Sequence, residues 1–184
     1  SDQVCVSSVI MAIGEQFGAP LVLLNNAGIS RDNILMRMKS EEWDDVIDTI
    51  LIDLYRLTKA CLRGMTKARW GRIVNITSVV GSMGNIGQSN YAATKAGAEG
   101  FSRALARELG SRAVTVNCIA TGFIDTDMTR ELSDYQRNLM LVQIPLGRLG
   151  APEEIAALVA FLCSDAAAYI TGETVHVNGG MHMA

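Results

Sequence analysis

The chain has 184 residues, with 49% hydrophobic and 19% charged residues, a net charge of −3 and a mean hydropathy of +0.22. That length suits one domain with a core of useful size. The balance excludes an intrinsically disordered chain, and the weak negative charge excludes an electrostatic nucleic-acid binder. The longest unbroken apolar run, 155–163, falls far short of the roughly 20 residues that span a bilayer, so no membrane association is expected. No basic leader with an apolar stretch opens the chain, and a cytoplasmic location is expected. Cys5, Cys61, Cys118 and Cys163 stand far apart, without C-x-x-C spacing, and His176 and His182 are the only histidines. Reduced, buried thiols and no metal site are expected.

Helical and strand patterns alternate along the chain. Residues 3–17 carry apolar residues at helical spacing, and LVLLN (21–25) reads as a strand buried on both faces. Ser40 to about Lys67 reads as one long helix, with acids in its first turn and bases at its far end. GRIVNITS (71–78) is the second strand, and a Gly- and Ser-rich loop runs from it to Gln88. A helix from about Asn90 to Leu109 stops at Gly110, and AVTVNCIA (113–120) is strand three. A helix begins near Pro152, and TVHVN (174–178) closes the series. Strands joined by helices predict an α/β chain with a parallel sheet of about four strands. No linker or repeat interrupts it, so 1–184 is expected to be a single domain.

In an open parallel sheet, ligands sit beyond the carboxyl ends of the strands. After the first strand come Asn26, Ala27 and Gly28, after the second Thr77 and Ser78, and after the third Thr121, Gly122, Ile124 and Thr126. Tyr91 and Lys95, four apart, share one face of the following helix. An ammonium beside a phenol favours phenolate, so Lys95 is expected to lower the Tyr91 pKa and make it a usable proton donor. Ser78 at the strand end is placed to hydrogen-bond a substrate carbonyl. A lone Y-x-x-x-K is weak on its own; the upstream Ser78 and the N-N-A-G run give it weight.

The blocks LLNNAGISRDN (23–33), KARWGRIVNITSVVGSMGNIGQSNYAATKAG (67–97), ALARELGSRAVTVN (104–117), GFIDTDMT (122–129), IPLGRLGAPEEIA (144–156) and ITGETVHVNGGMHM (170–183) resemble the short-chain dehydrogenase/reductase family. They are most similar to its branch that acts on acyl-carrier-protein thioesters. The resemblance implies a three-layer, Rossmann-type doubly wound sheet, of which this chain holds the C-terminal part. It implies reduction of a 3-oxoacyl-carrier-protein by NADPH in fatty-acid biosynthesis, in a homotetramer. Ser78, Tyr91 and Lys95 are then catalytic. Asn26, Ala27, Gly28, Ile76, Tyr91, Lys95, Gly122, Ile124 and Thr126 face the cofactor, and Arg69 and Arg112 receive the acidic carrier, unless they are ordinary solvated arginines.

Three departures stand against that pattern. The family's Gly-rich opening turn does not occur in residues 1–24, where only Gly14 and Gly18 are found. About 60 residues, two βαβ units, are therefore expected to be lacking, with a weakened nucleotide site and LVLLN left as an open sheet edge. Ile50 stands where the family places an asparagine that serves a proton relay. Thr121-Gly122 replaces Pro-Gly, at a cost of about 0.4–1 kcal/mol of loop order. Two other functions remain open: a catalytically impaired relative kept as an assembly or regulatory subunit, or a reductase of another carbonyl selected by a lid between Arg130 and Gln143.

Overall fold

A computed structural model describes residues 3–126 and 133–183. Four strands form one parallel sheet in the order β1 (Val22–Asn25), β2 (Gly71–Ser78), β3 (Val114–Thr121) and β4 (Thr174–Val177). The register pairs Ser78 with Thr121 and Thr121 with Val177, which aligns the carboxyl ends of β2, β3 and β4, while β1 ends at Asn25 opposite Asn75. This is the expected partial doubly wound sheet. As expected, β1 lies at its edge; the expected burial on both faces is corrected, because among the described residues no layer covers the face that Val22 and Leu24 present and both are nearly half exposed.

The alternation of side chains along β2 and β3 divides the core. Ile73, Val114 and Val116 point to one face, where they pack on Cys61, Met65, Leu105 and Leu109. Val74 and Ile119 point to the other, against Leu162 and Ala167. Helices α3 (Asp53–Ala68) and α5 (Ser89–Leu109) cover the first face. Helix α7 (Pro152–Cys163), which follows α6 (Asp134–Leu141), covers the second. Helix α1 (Gln3–Phe17) packs on α3 through Ile10, and Gly18 ends it at φ +87°, donating back to the Gly14 carbonyl. Among the described residues, no helix is long and apolar enough to cross a membrane.

The long helix expected over 40–67 is not uniform. It starts as α2 (Ser40–Val46), passes through a π-helical segment at Ile47–Ile52 and resumes as α3. Such wide turns inside α-helices frequently mark functional sites, and apolar spacing does not reveal them. The loop after β2 holds a further short helix, α4 (Val79–Met83), whose N-cap is Ser78. Of the lid expected between Arg130 and Gln143, residues 130–132 lie outside the described residues, and 134–141 form α6.

A polar ladder crosses the first core face. Asn25 Nδ2 donates to Asn75 Oδ1 at 2.7 Å, Asn75 Nδ2 donates to Ser102 Oγ at 2.8 Å, and Ser102 Oγ donates to the Ala98 carbonyl. Asn75 is fully buried, so its partners depend on it for satisfaction. Asn75→Ala is therefore expected to lower the unfolding free energy by about 2–3 kcal/mol in a urea titration. Gly14→Ala, where an added methyl meets nothing within 4 Å inside α1, should raise it by about 0.5–1 kcal/mol.

Candidate active site

The aligned strand ends bring Ser78, Tyr91 and Lys95 together. Tyr91 and Lys95 lie in the first two turns of α5. Helix α4 can press against that part of α5 because of Gly81: a Cβ there would stand 3.0 Å from the Ala96 amide nitrogen and 3.1 Å from Lys95 Cβ. Ser78, in extended backbone at the end of β2, caps α4 by accepting from the Val80 amide at 3.2 Å. Its hydroxyl also lies close enough to the Tyr91 phenol to favour the ionised form. Lys95 Nζ donates to the Ile76 carbonyl at 2.8 Å and lies 5.3 Å from the centre of the Tyr91 ring.

The electrostatics correct one expectation. Burial pushes the Tyr91 phenol up; the nearby Ser78 hydroxyl opposes that, and the Asp32 carboxylate adds to it. The net direction is upward, not the lowering by Lys95 that the spacing suggests. The physical reason is that the phenol itself loses its hydration on burial, which disfavours the phenolate, while the Lys95 ammonium is turned to the Ile76 carbonyl. Burial holds Lys95 down to about 8. A phenol kept protonated is a proton donor in waiting, which suits the delivery of a proton to a developing alkoxide.

The other expected residues fall into three places. Gly28 adjoins the Lys95 ammonium, since a Cβ on it would stand 3.7 Å from Nζ. Asn26 and Ala27 line a cavity of about 80 Å³ with Asn25, Thr49, Ile50 and Ile76. Ile76 takes part twice, through its carbonyl to Lys95 and in that wall, while its side chain packs on the Val74 and Ile119 cluster. Gly122 closes on β4: its amide donates to the Val177 carbonyl, and a Cβ would come within 2.7 Å of Asn178 Cα. Ile124 bridges to Gly150 and lines a separate cavity of about 450 Å³ with His176 and Asn178. Thr126 ends the described part of that loop, before residues 127–129 of the same block, which lie outside it.

Arg69 and Arg112 meet at the opposite end of the sheet, before β2 and β3. Arg69 sits in left-handed backbone at φ 52° and donates to the Ser111 carbonyl at 3.2 Å, while exposed Arg112 ends the turn at Gly110–Arg112. Thr121 makes its own tie where the family pattern has proline, donating from Oγ1 to the Thr77 carbonyl at 3.4 Å. Ile50 is buried in the π-helical segment, with no polar atom on its side chain to offer the site.

The residues around Lys95 fit a dinucleotide at its nicotinamide-ribose end. Gly28 leaves the ammonium approachable, the Asn25 Oδ1 atom is buried without a partner, and both lie at the carboxyl edge of the sheet. An ammonium carries three donors, of which the Ile76 carbonyl takes one. Sequence reasoning missed Asp32, Gln88 and Asn90, which bind the loop after β1 to the start of α5. Asn90 adjoins Tyr91 in the sequence and was within reach; Asp32 and Gln88 carry no short-range signal.

The chain matches, over residues 1–182, the family model described as enoyl-(acyl carrier protein) reductase. It is 67% identical over 179 residues to the 3-oxoacyl-acyl-carrier-protein reductase FabG of Pseudomonas aeruginosa, covering 97% of this chain and 72% of that protein. The reductase of the same name from Vibrio cholerae is 61% identical over 97% of this chain and 73% of its own length. That of Escherichia coli K12 is 61% identical over the full chain and 75% of its own length.

Burial of Lys95 has a measurable cost. Its folded pKa lies below the ordinary 10.5, so the unfolded chain binds more protons between about pH 8 and 10.5. The penalty is present in full below pH 8 and fades as pH rises through that window. Lys95→Met should therefore melt higher than the native protein at pH 7, and the difference should shrink towards pH 10.5 in thermal denaturation.

Proposed function

Since the chain belongs to the short-chain dehydrogenase/reductase family, we propose that it is the NADPH-dependent reductase of 3-oxoacyl thioesters on acyl carrier protein, serving fatty-acid biosynthesis. The observation that carries this reading is the buried Lys95 ammonium 5.3 Å from the centre of the Tyr91 ring, with Ser78 beside the phenol. Identities of 61–67% to reductases of that name support it. The further parts of the proposal are a single domain, a homotetramer and a cytoplasmic location.

A bound nicotinamide cofactor would supply the hydride that the carbonyl carbon of the substrate takes up. Ser78 then serves as the hydrogen-bond donor that fixes the carbonyl oxygen, and Tyr91 gives its phenolic proton to the same oxygen. Because burial keeps the phenol protonated, that proton is in place at neutral pH. Lys95, with a pKa of about 8, still carries its charge there, and it offers its free donors to the ribose on the side that Gly28 leaves open. Asn26, Ala27 and Ile76 would hold the adenosine side of the cofactor, and the loop with Gly122, Ile124 and Thr126 would meet its nicotinamide end. The exposed arginines at the far end of the sheet, Arg69 and Arg112, receive the acidic carrier.

Ile50 favours a second reading, a catalytically impaired subunit retained for assembly. Its aliphatic side chain neither donates nor accepts, so a proton reaches Tyr91 without help from that position. The two readings part on turnover, measured as loss of NADPH absorbance in the complete protein. In the reductase, Tyr91→Phe should cut kcat by at least about 10²-fold and Ile50→Asn should raise it, the usual range of an acid–base contribution being about 10²–10⁴-fold. Arg69→Glu with Arg112→Glu should raise KM for the carrier-borne substrate and leave that for a small 3-oxoacyl thioester alone. A protein without turnover, before and after Ile50→Asn, is the assembly subunit.

A further inference from the structure

Three consecutive residues of the loop after β1 each hold the segment that leads into α5. The Arg31 carbonyl accepts from Asn90 Nδ2 at 3.0 Å, Asp32 Oδ2 accepts from Gln88 Nε2 at 2.9 Å, and the Asn33 amide donates to the Gly87 carbonyl at 2.9 Å. The contacts run in opposite chain directions, so the two segments close like a zip. At one end Asn90, fully buried, also donates to the Glu42 carbonyl and accepts from the Tyr91 amide at 2.8 Å. In the middle, Gln88 sits just ahead of α5, and its carbonyl accepts from the Ala92 amide at 2.8 Å. Asp32–Gln88 is the one tooth made by two side chains, and the one that carries a charge.

We propose that Asp32 and Gln88 form a positioning pair for Tyr91, strapping the first turn of α5 to the loop after β1. The strap holds the phenol towards Ser78 on the same rigid body as Gly28, which adjoins Lys95. This rests on the reading of Tyr91 as the proton donor. The pair acts through Tyr91 and touches neither substrate nor cofactor.

The charge of Asp32 adds a second handle. The carboxylate pushes the Tyr91 phenol up, behind the larger effect of burial. The other titratable or charged groups at this corner are Lys95 on α5, Cys118 on β3, Glu42 and Asp45 on α2, and Arg31, Arg37 and Lys39 in the loop. Asp45 pairs with Arg31 at 3.5 Å, and Glu42 accepts from the Lys39 amide and from Asn33 Nδ2. Gln88, a neutral amide, leaves the charge of Asp32 in place. Asp32 is exposed, so its influence weakens as salt is added.

The experiment compares Asp32→Ala, Asp32→Asn and Gln88→Ala in the complete protein. Asp32→Ala should lower kcat about tenfold, the worth of one charge-assisted hydrogen bond, with a smaller change in KM. Gln88→Ala should cost about as much, and the double variant no more than either. Asp32→Asn keeps an oxygen for Gln88 Nε2 and should recover most of the loss, yet its basic pH limb should move to lower pH. Ultraviolet titration of the phenol, with Tyr91→Phe as the blank, should show the same downward movement without any turnover. That arm tests the strap's charge even if the protein reduces no thioester, and it still decides if Asp32→Ala folds poorly. Losses that add, or a phenol that titrates identically in Asp32→Asn and the native protein, overturn the proposal.

Discussion

An ammonium group placed inside a protein needs a reason and a partner, and here both come from the sheet. Lys95 reaches back from α5 to the Ile76 carbonyl, one residue past the point where β1 ends its pairing with β2. Everything near the candidate site is arranged around that contact. Gly81 lets α4 approach the helix, Gly28 keeps the loop after β1 clear of the charge, and Tyr91 lays its ring one turn away. The two faces of the core supply the stiffness, because β2 and β3 are buried along nearly their whole length.

Much of the fold was legible because its strands are short apolar runs bounded by Gly, Pro or Asn, with helices between them. The four strands, their parallel order and the helices over 3–17 and 90–109 follow from that alone. The π-helical segment at Ile47–Ile52 was not legible, since an extra residue in a wide turn leaves the apolar spacing of the flanking helices intact. The short α4 was hidden for the opposite reason: five residues of mixed character carry no period at all.

The catalytic trio was legible as spacing, and its electrostatics were not. The four-residue step from Tyr91 to Lys95 fixes a common face, but the direction in which each group's pKa moves depends on burial and on where the ammonium finds its acceptor. The same limit applies to the strap. Asp32 and Gln88 are 56 residues apart in polar loops, and only the return of α5 to the end of β1 brings them into contact. Gly122, Ile124 and Thr126 were legible as strand-end residues and took their role from resemblance; close packing of Gly122 against Asn178 now gives the glycine a steric cause.

The wide turn between α2 and α3 holds one residue more than an α-helix of the same rise. It works as a spare link: Val46 on one side and Leu54, Thr58 and Met65 on the other keep their inward aim although an extra residue stands between them. Loss of a single residue from 47–52 would tighten the turn and leave both flanks facing as before. A similar loss inside α5 would swing every later side chain by about 100° and unseat the core. Among the described residues, the wide turn is thus a place where a helix tolerates a change in length, beside the cavity that Ile50 lines.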